Sequence, residues 1–253
     1  MPVHHARPRP KPPRLIVGRN PVQEALTSGT AIEKIFLLRS ATGEDVAAIR
    51  QVARQQNIPL VLVPAEKLDR LTRAAHQGVV AIAGLLSYID LQDGISHVVE
   101  SGATPLLIML DGVTDVRNIG AIARTALACG AQGIVLPASH AATLSEEAVK
   151  TSAGALEKIL LLRTPSVPQA LDVLRLNGIR VLGTQMKGSI PVYEADLTGP
   201  CCIVMGGEES GISKDVLRRA DQLVRIPMPG GFESLNVSVA AGMLLYEAIR
   251  QRA

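Results

Sequence analysis

The stretch VRIPMPGGFESLNVSVAA, residues 224–241, decides how the second half of this chain is built. An apolar, strand-like run ends in a Pro-Gly-Gly loop, and a polar cluster (Ser234, Asn236, Ser238) then opens a helix that is otherwise almost wholly apolar. Ser234 suits an N-cap, and Gly230 with Gly231 allows backbone to come close to a neighbour. Polar groups at the mouth of a buried helix must find hydrogen-bond partners. Two further stretches repeat the layout of apolar strand, glycine-containing polar loop and helix: LDGVTDVRNIGAIARTALAC (110–129) and IVMGGEESGIS (203–213). In open α/β sheets, ligands collect where several strand C-termini deliver such loops to one place. The three loops are therefore read as parts of one site.

Working outward, PLLIML (105–110) is a continuous apolar run typical of a strand buried on both faces. Further strands are expected at 133–137, 159–163, 179–184, 201–206 and 223–228, with helices at 118–129, 145–156, 166–177, 213–219 and 234–251. That alternation predicts an α/β fold, a mostly parallel sheet with helices on both faces. LNVSVAAGMLLYEAI (235–249) is apolar nearly all round, so its helix should be buried on more than one side.

The front of the chain reads as a separate small α/β domain. Asn20-Pro21 starts a helix and Gly29 stops it; strands follow at 32–38, 59–63 and 79–84, with helices at 44–56 and 65–75. Residues 86–104, with Gly94, Gly102 and several acids, lack strong periodicity and read as a linker. Residues 1–13, proline-rich with Arg7, Arg9 and Lys11, read as a disordered basic arm. The expected organisation is thus 1–13, 14–85, 86–104 and 105–253.

Composition narrows the chemistry. Hydrophobic residues make up 47% of 253, yet there is no Trp, two Phe and three Tyr, so the core is aliphatic. That scarcity argues against RNA binding by rows of stacked aromatics. Cys129, Cys201 and Cys202 show no C-x-x-C spacing, which disfavours zinc and disulfides and fits a reducing cytoplasm. No apolar run has the length of a membrane span, and no signal-peptide core is evident. The net charge is +3, with 12 Lys/Arg against 6 Asp/Glu through Leu85 and 14 against 17 beyond it. A basic front half suggests a polyanionic partner. A dinucleotide fingerprint is absent, and GTQMKGS (183–189) lacks the Lys that a P-loop needs after its second Gly.

Taken in order, Asn118/Gly120/Arg124 (N-x-G-x-x-x-R), Gly206/Glu208 (G-x-E) and Ser234–Ser238 (S-L-N-V-S) resemble the SpoU (TrmH-like) branch of the SPOUT RNA 2′-O-ribose methyltransferases. LIVGRNPVQEAL (15–26) and HQGVVAIAG (76–84) are similar to the L30-like substrate-binding domain that precedes the catalytic domain in the ribosomal-RNA members. The resemblance is nearest to bacterial enzymes that methylate a guanosine in the peptidyl-transferase region of 23S rRNA. It implies a deep trefoil knot in the catalytic domain, S-adenosyl-L-methionine as donor with S-adenosyl-L-homocysteine as product, no metal, an RNA partner, a homodimer and a cytoplasmic location.

Carried across residue by residue, the resemblance implies cofactor contacts at Gly206, Ile226 and Leu235, then Thr184, Met228 and Asn236. It implies a catalytic group of Arg124, Asn118, Glu208, Asn236 and Ser234. A guanidinium with a pKa above about 12 is a poor base, so Arg124 is read as binding phosphate and stabilising developing alkoxide. Asn118 could orient the ribose or hold Arg124; Glu208 could fix Arg124 or act as base. A tRNA 2′-O-methyltransferase and a non-catalytic ribosome-assembly factor are the competing readings.

Overall fold

The computed structural model describes residues 14–28, 30–138, 144, 146–208, 210–231 and 234–253, so the expected arm and the Gly29 stop lie outside the described residues. The chain divides into two compact units, one of residues up to Arg50 with Leu60–Gly84, the other of Gln51–Pro59 with Leu85–Ala253. Through the first, the order is β1 (Leu15–Val17), α1 (Arg19–Thr27), β2 (Ile32–Leu38), α2 (Glu44–Gln55, its residues from Gln51 counted with the second unit), β3 (Leu60–Val63), α3 (Ala65–Leu71) and β4 (Val79–Ala83). The sheet order is β1-β4-β2-β3, with β4 antiparallel to both neighbours and β3 parallel to β2. Ile35 and Leu37 of β2 are fully buried. Helix α3 stops at Leu71 rather than 75, because Thr72 turns extended (φ −152°) and its N–H closes on the Leu68 carbonyl.

The second unit runs β5 (Ile89–Asp90), α4 (Leu91–Glu100), β6 (Leu106–Asp111), α5 (Val116–Ala128), β7 (Gly133–Pro137), α6 (Glu146–Thr151), β8 (Leu160–Thr164), α7 (Val167–Leu176), β9 (Arg180–Thr184), β10 (Ile190–Pro191), β11 (Cys201–Gly206), α8 (Lys214–Arg219), β12 (Gln222–Arg225) and α9 (Val237–Arg252). Its eight strands lie in the order β10-β12-β9-β11-β6-β7-β8-β5, and every pairing is parallel. The expected α/β class and parallel sheet are what the chain forms.

All six residues of β6 are buried, and their alternation divides the interior in two. Leu106, Ile108 and Leu110 pack with Ile119, Ile122 and Ala126 of α5 and with Ala241, Leu244, Leu245 and Ala248 of α9. Leu107 and Met109 face the other way, onto Leu91 and Ile95 of α4, Leu171 and Leu174 of α7, and Val216 of α8. A strand buried on both faces reads as one apolar run for this reason. The far end of α9 is pinned by Arg252, which donates to the carbonyls of Leu197 (2.8 Å), Gly199 (2.6 Å), Thr104 (3.1 Å) and Pro105 (3.2 Å). Among the described residues no helix is long and apolar enough to cross a membrane.

Three further expectations need correction. Residues 86–104 are not a bare linker: Asp90 caps α4 through the Gln92 N–H (2.8 Å), and α4 covers one face of the sheet. Gly94, which weakens the helical signal, is where α4 meets β8; a methyl there would stand 2.1 Å from Leu162 Cδ2. The helix expected at 145–156 ends at Thr151, where Ala153 (φ 50°) and Gly154 (φ 83°) turn left-handed. Helix α9 starts three residues later than read, and Asn236 caps it instead of Ser234.

Gly120 gives a stability test. A Cβ at this position would lie 2.6 Å from the Ala148 carbonyl oxygen and 2.8 Å from Thr151 Cβ, so the α5–α6 contact depends on its absence. Gly120→Ala should cost about 1–3 kcal/mol in overpacking, against about 1 kcal/mol of recovered helix propensity. Thermal unfolding should show Tm lowered by a few degrees; an unchanged or raised Tm would show that α6 yields freely.

Candidate active site

Four parallel strands, β6, β9, β11 and β12, end on the same edge of the sheet, and their following loops build the site. Asp111, the last residue of β6, is 2% exposed. Its carboxylate accepts the Ser213 N–H (2.6 Å) and its carbonyl the Gly207 N–H (3.1 Å), which ties the loop after β11 to the end of β6. That loop starts with two residues that leave no room for a side chain. A methyl on Gly206 would stand 2.1 Å from the Gly211 carbonyl carbon, and one on Gly207 would stand 2.6 Å from the Gly112 oxygen.

The folded loop bounds a cavity of about 350 Å³. Of the residues expected to hold a cofactor, Thr184, Gly206, Ile226, Met228 and Leu235 all line it, as do Glu208 and Ser234. The remaining walls are largely apolar, with Met205, Ile212, Leu217, Ala240 and Leu244 among them. Sequence reading did not single out Ile212, Leu217, Ala240 or Leu244, and only the spacing of Ala240 and Leu244 on one helical face could have marked them. Thr184 Oγ1 donates to the Val204 carbonyl (2.9 Å), so this hydroxyl ties the end of β9 to β11. β12 stops at Arg225, which leaves Ile226–Met228 as irregular backbone along the cavity wall.

A second cavity of about 240 Å³ shares Gly207, Glu208, Ser210 and Val237 with the first and is closed by Asp115 and Asn118. Glu208 therefore belongs to both. Its Oε1 accepts from Asn118 Nδ2 (3.0 Å) and Asn236 Nδ2 (3.2 Å), and Asn236 Nδ2 also reaches Asn118 Oδ1 (3.1 Å). Asn236 Oδ1 meanwhile takes the Ser238 N–H (3.0 Å) and hydroxyl (2.6 Å), fixing the start of α9. The second glutamate oxygen has no partner among the described residues. Asp115 caps α5 through the Arg117 N–H (2.9 Å), and the Arg117 guanidinium beside it holds its carboxyl below the ordinary range.

Arg124 stands apart. It is exposed on α5, makes no hydrogen bond or ion pair among the described residues, and lines neither cavity. Six residues beyond Asn118, it points about 120° around the helix from it. The reading in which Asn118 or Glu208 holds Arg124 is thereby corrected: those two hold each other and Asn236. Asn236, expected also at the cofactor, lines neither cavity and serves as cap and bridge. Burial raises the Cys201 and Cys202 thiols above their ordinary range, in keeping with core roles.

Comparison with known proteins follows the same division. Residues 105–246 match the SpoU rRNA Methylase family, and residues 15–89 match the RNA 2′-O ribose methyltransferase substrate binding family. A Bacillus subtilis protein assigned to the TrmH family of tRNA/rRNA methyltransferases is 35% identical over 237 residues, 94% of this chain and 95% of its own. The crystal structure of the SpoU methyltransferase AviRb from Streptomyces viridochromogenes, in complex with AdoMet, superposes with a TM-score of 0.60 at 27% identity, over 95% of this chain and 91% of that one. An AdoMet-bound rRNA methyltransferase from Sinorhizobium meliloti superposes with a TM-score of 0.59 at 28% identity, over 94% and 87%.

The polar bridge makes a prediction about stability. Asn236→Asp keeps an acceptor for the helix cap but loses both bonds that the Asn236 amide donates, and it sets a second carboxyl group against Glu208. Leaving the bridge acceptors unmatched should cost about 1–3 kcal/mol. Denaturant unfolding at neutral pH measures this; stability equal to the parent's would mean that the bridge does not help to hold the loops together.

Proposed function

The chain belongs to the SpoU rRNA methylase family, and on that premise we propose that it methylates a ribose 2′-hydroxyl of ribosomal RNA, at a guanosine of the 23S peptidyl-transferase region, with S-adenosylmethionine as donor. One observation carries the reading: Glu208 lies in the wall common to two adjoining cavities, where the three motif segments meet. A two-cavity site suits a two-substrate transfer, because donor and acceptor must be held in line.

The larger cavity fits an adenine-containing methyl donor. Its volume falls at the lower end of the range of about 300–1,000 Å³ for small-molecule sites, and apolar walls with a few polar groups are the usual composition. Gly206, Ile226 and Leu235, with Thr184 and Met228, are the residues that would hold the donor. When bound, it supplies a methyl group on a sulfonium, already a good leaving group.

The chain's own residues must then place and activate the hydroxyl. Asn118 and Asn236 hold one oxygen of Glu208, leaving the other to accept the proton of the 2′-hydroxyl. Arg124 supplies positive charge for RNA phosphate and for the developing alkoxide. Its exposure on α5 is consistent with service to a second copy of the chain. Val239, Met243 and Tyr246 form an exposed stripe on α9, and on the same helix a methyl at Gly242 would stand 3.5 Å from the methyl of Thr125, the neighbour of Arg124. A homodimer through α5 and α9 would cover that stripe and bring Arg124 to the partner's cavities. The ribosomal substrate is favoured because alignment with the S. meliloti rRNA methyltransferase spans both units. An enzyme of this kind works in the cytoplasm.

The test is transfer of labelled methyl from S-adenosylmethionine to unmodified 23S rRNA and to tRNA, followed by mapping of 2′-O-methyl sites. Label should enter 23S rRNA at one guanosine, and Arg124→Lys should lower the rate about 10²-fold or more, since it keeps the charge and loses the fork. Label only in tRNA would overturn the ribosomal reading, label in neither the enzymatic one. Near-full activity of Arg124→Lys would overturn the bidentate role.

A further inference from the structure

We propose that the small unit seats one phosphate–ribose step of the RNA backbone in a cleft formed by Arg19, Asn20, Ser40, Thr42 and Gln77. The inference rests on the RNA reading above and goes beyond it by naming where, and through which groups, the substrate-binding unit takes hold. The cleft encloses about 620 Å³ between the start of α1, the loop after β2 and the turn before β4.

Its walls are apolar only at Leu38, Ala41 and Gly78. Arg19 is oriented before any ligand arrives: its Nε donates to the Gln77 carbonyl (3.1 Å) and its backbone N–H to Gln77 Oε1 (3.2 Å). Gln77 does this from a left-handed conformation (φ 50°), uncommon for a residue with a side chain. The two terminal guanidinium nitrogens, the Asn20 amide and the Ser40 and Thr42 hydroxyls have no hydrogen-bond partner among the described residues. A planar fork held at its Nε, with both outer nitrogens free, matches a phosphate oxygen pair. Arg39, exposed and unpaired among the described residues, adds positive charge beside Ser40.

Asp45 decides against a bare anion. It is the one acidic group in the wall, and it repels free phosphate while accepting a hydrogen bond from a ribose hydroxyl. The cleft has no aromatic side chain, so base stacking is not its mode. Phosphate contacts of this kind position RNA without reading its sequence.

Binding of a 23S rRNA transcript, measured by filter retention over a salt series, tests the seat separately from methyl transfer. Asn20→Ala removes a side chain without partners, so its fold should be unaffected. It should raise the RNA Kd about fivefold while leaving donor affinity within about twofold. Arg19→Ala should weaken binding at least as much and lower the salt dependence by about one phosphate contact; Arg19→Lys should keep the slope yet bind more weakly than the parent. RNA affinities of Asn20→Ala and Arg19→Lys within twofold of the parent would overturn the seat. Parental binding that falls in these variants, with no methyl transfer by the parent, would uphold the seat and reject the enzymatic reading instead.

Discussion

The carboxylate of Glu208 is the interaction on which the site depends. It joins residues 90 positions away at Asn118 and 28 positions away at Asn236, and the direct Asn118–Asn236 bond spans 118. Three loops that begin at separate strands acquire a common geometry only where these side chains meet. The bridge is also economical in donors and acceptors. Both asparagine amides donate inward, Asn236 Oδ1 caps α9, and one glutamate oxygen is left without a partner among the described residues. Removing one member leaves the others with unmade bonds, which is why such networks fail as units.

Bringing the loops so close demands backbone without side chains. Gly206 and Gly207 lie where a Cβ would strike the backbone of Gly211 and Gly112, and Asp111 anchors the same turn through Ser213 and Gly207. The cavities are thus bounded by main chain fixed from two sides. On the opposite end of the sheet Arg252 holds the last turn of α9 to four carbonyls, so the helix that begins at Asn236 is secured at both termini.

Much of this architecture was legible in the residues. β7 and β11 span the ranges that their apolar runs predict, because a doubly buried strand has no polar interruption. The glycine–polar loops after β6 and β11 announced the site, and five expected donor contacts line one cavity. Other features escaped for physical reasons. Helix α4 was hidden by Gly94, which weakens helical propensity yet is needed against Leu162. The α9 cap moved from Ser234 to Asn236 because the asparagine oxygen captures Ser238 while its amide satisfies Glu208. Spacing within N-x-G-x-x-x-R placed Asn118 and Arg124 on one helix but hid that they lie on different faces of it. Gly120, read as part of a catalytic motif, makes room for α6.

The most direct test of the account is steady-state methyl transfer by Glu208→Gln, with donor affinity measured by calorimetry in parallel. The substitution preserves shape and one acceptor oxygen while removing the charge. If the Glu208 carboxylate receives the hydroxyl proton, kcat should fall by about 10²–10⁴ with donor Kd within about threefold of the parent. Turnover close to the parent's would contradict the central claim, whatever the donor affinity.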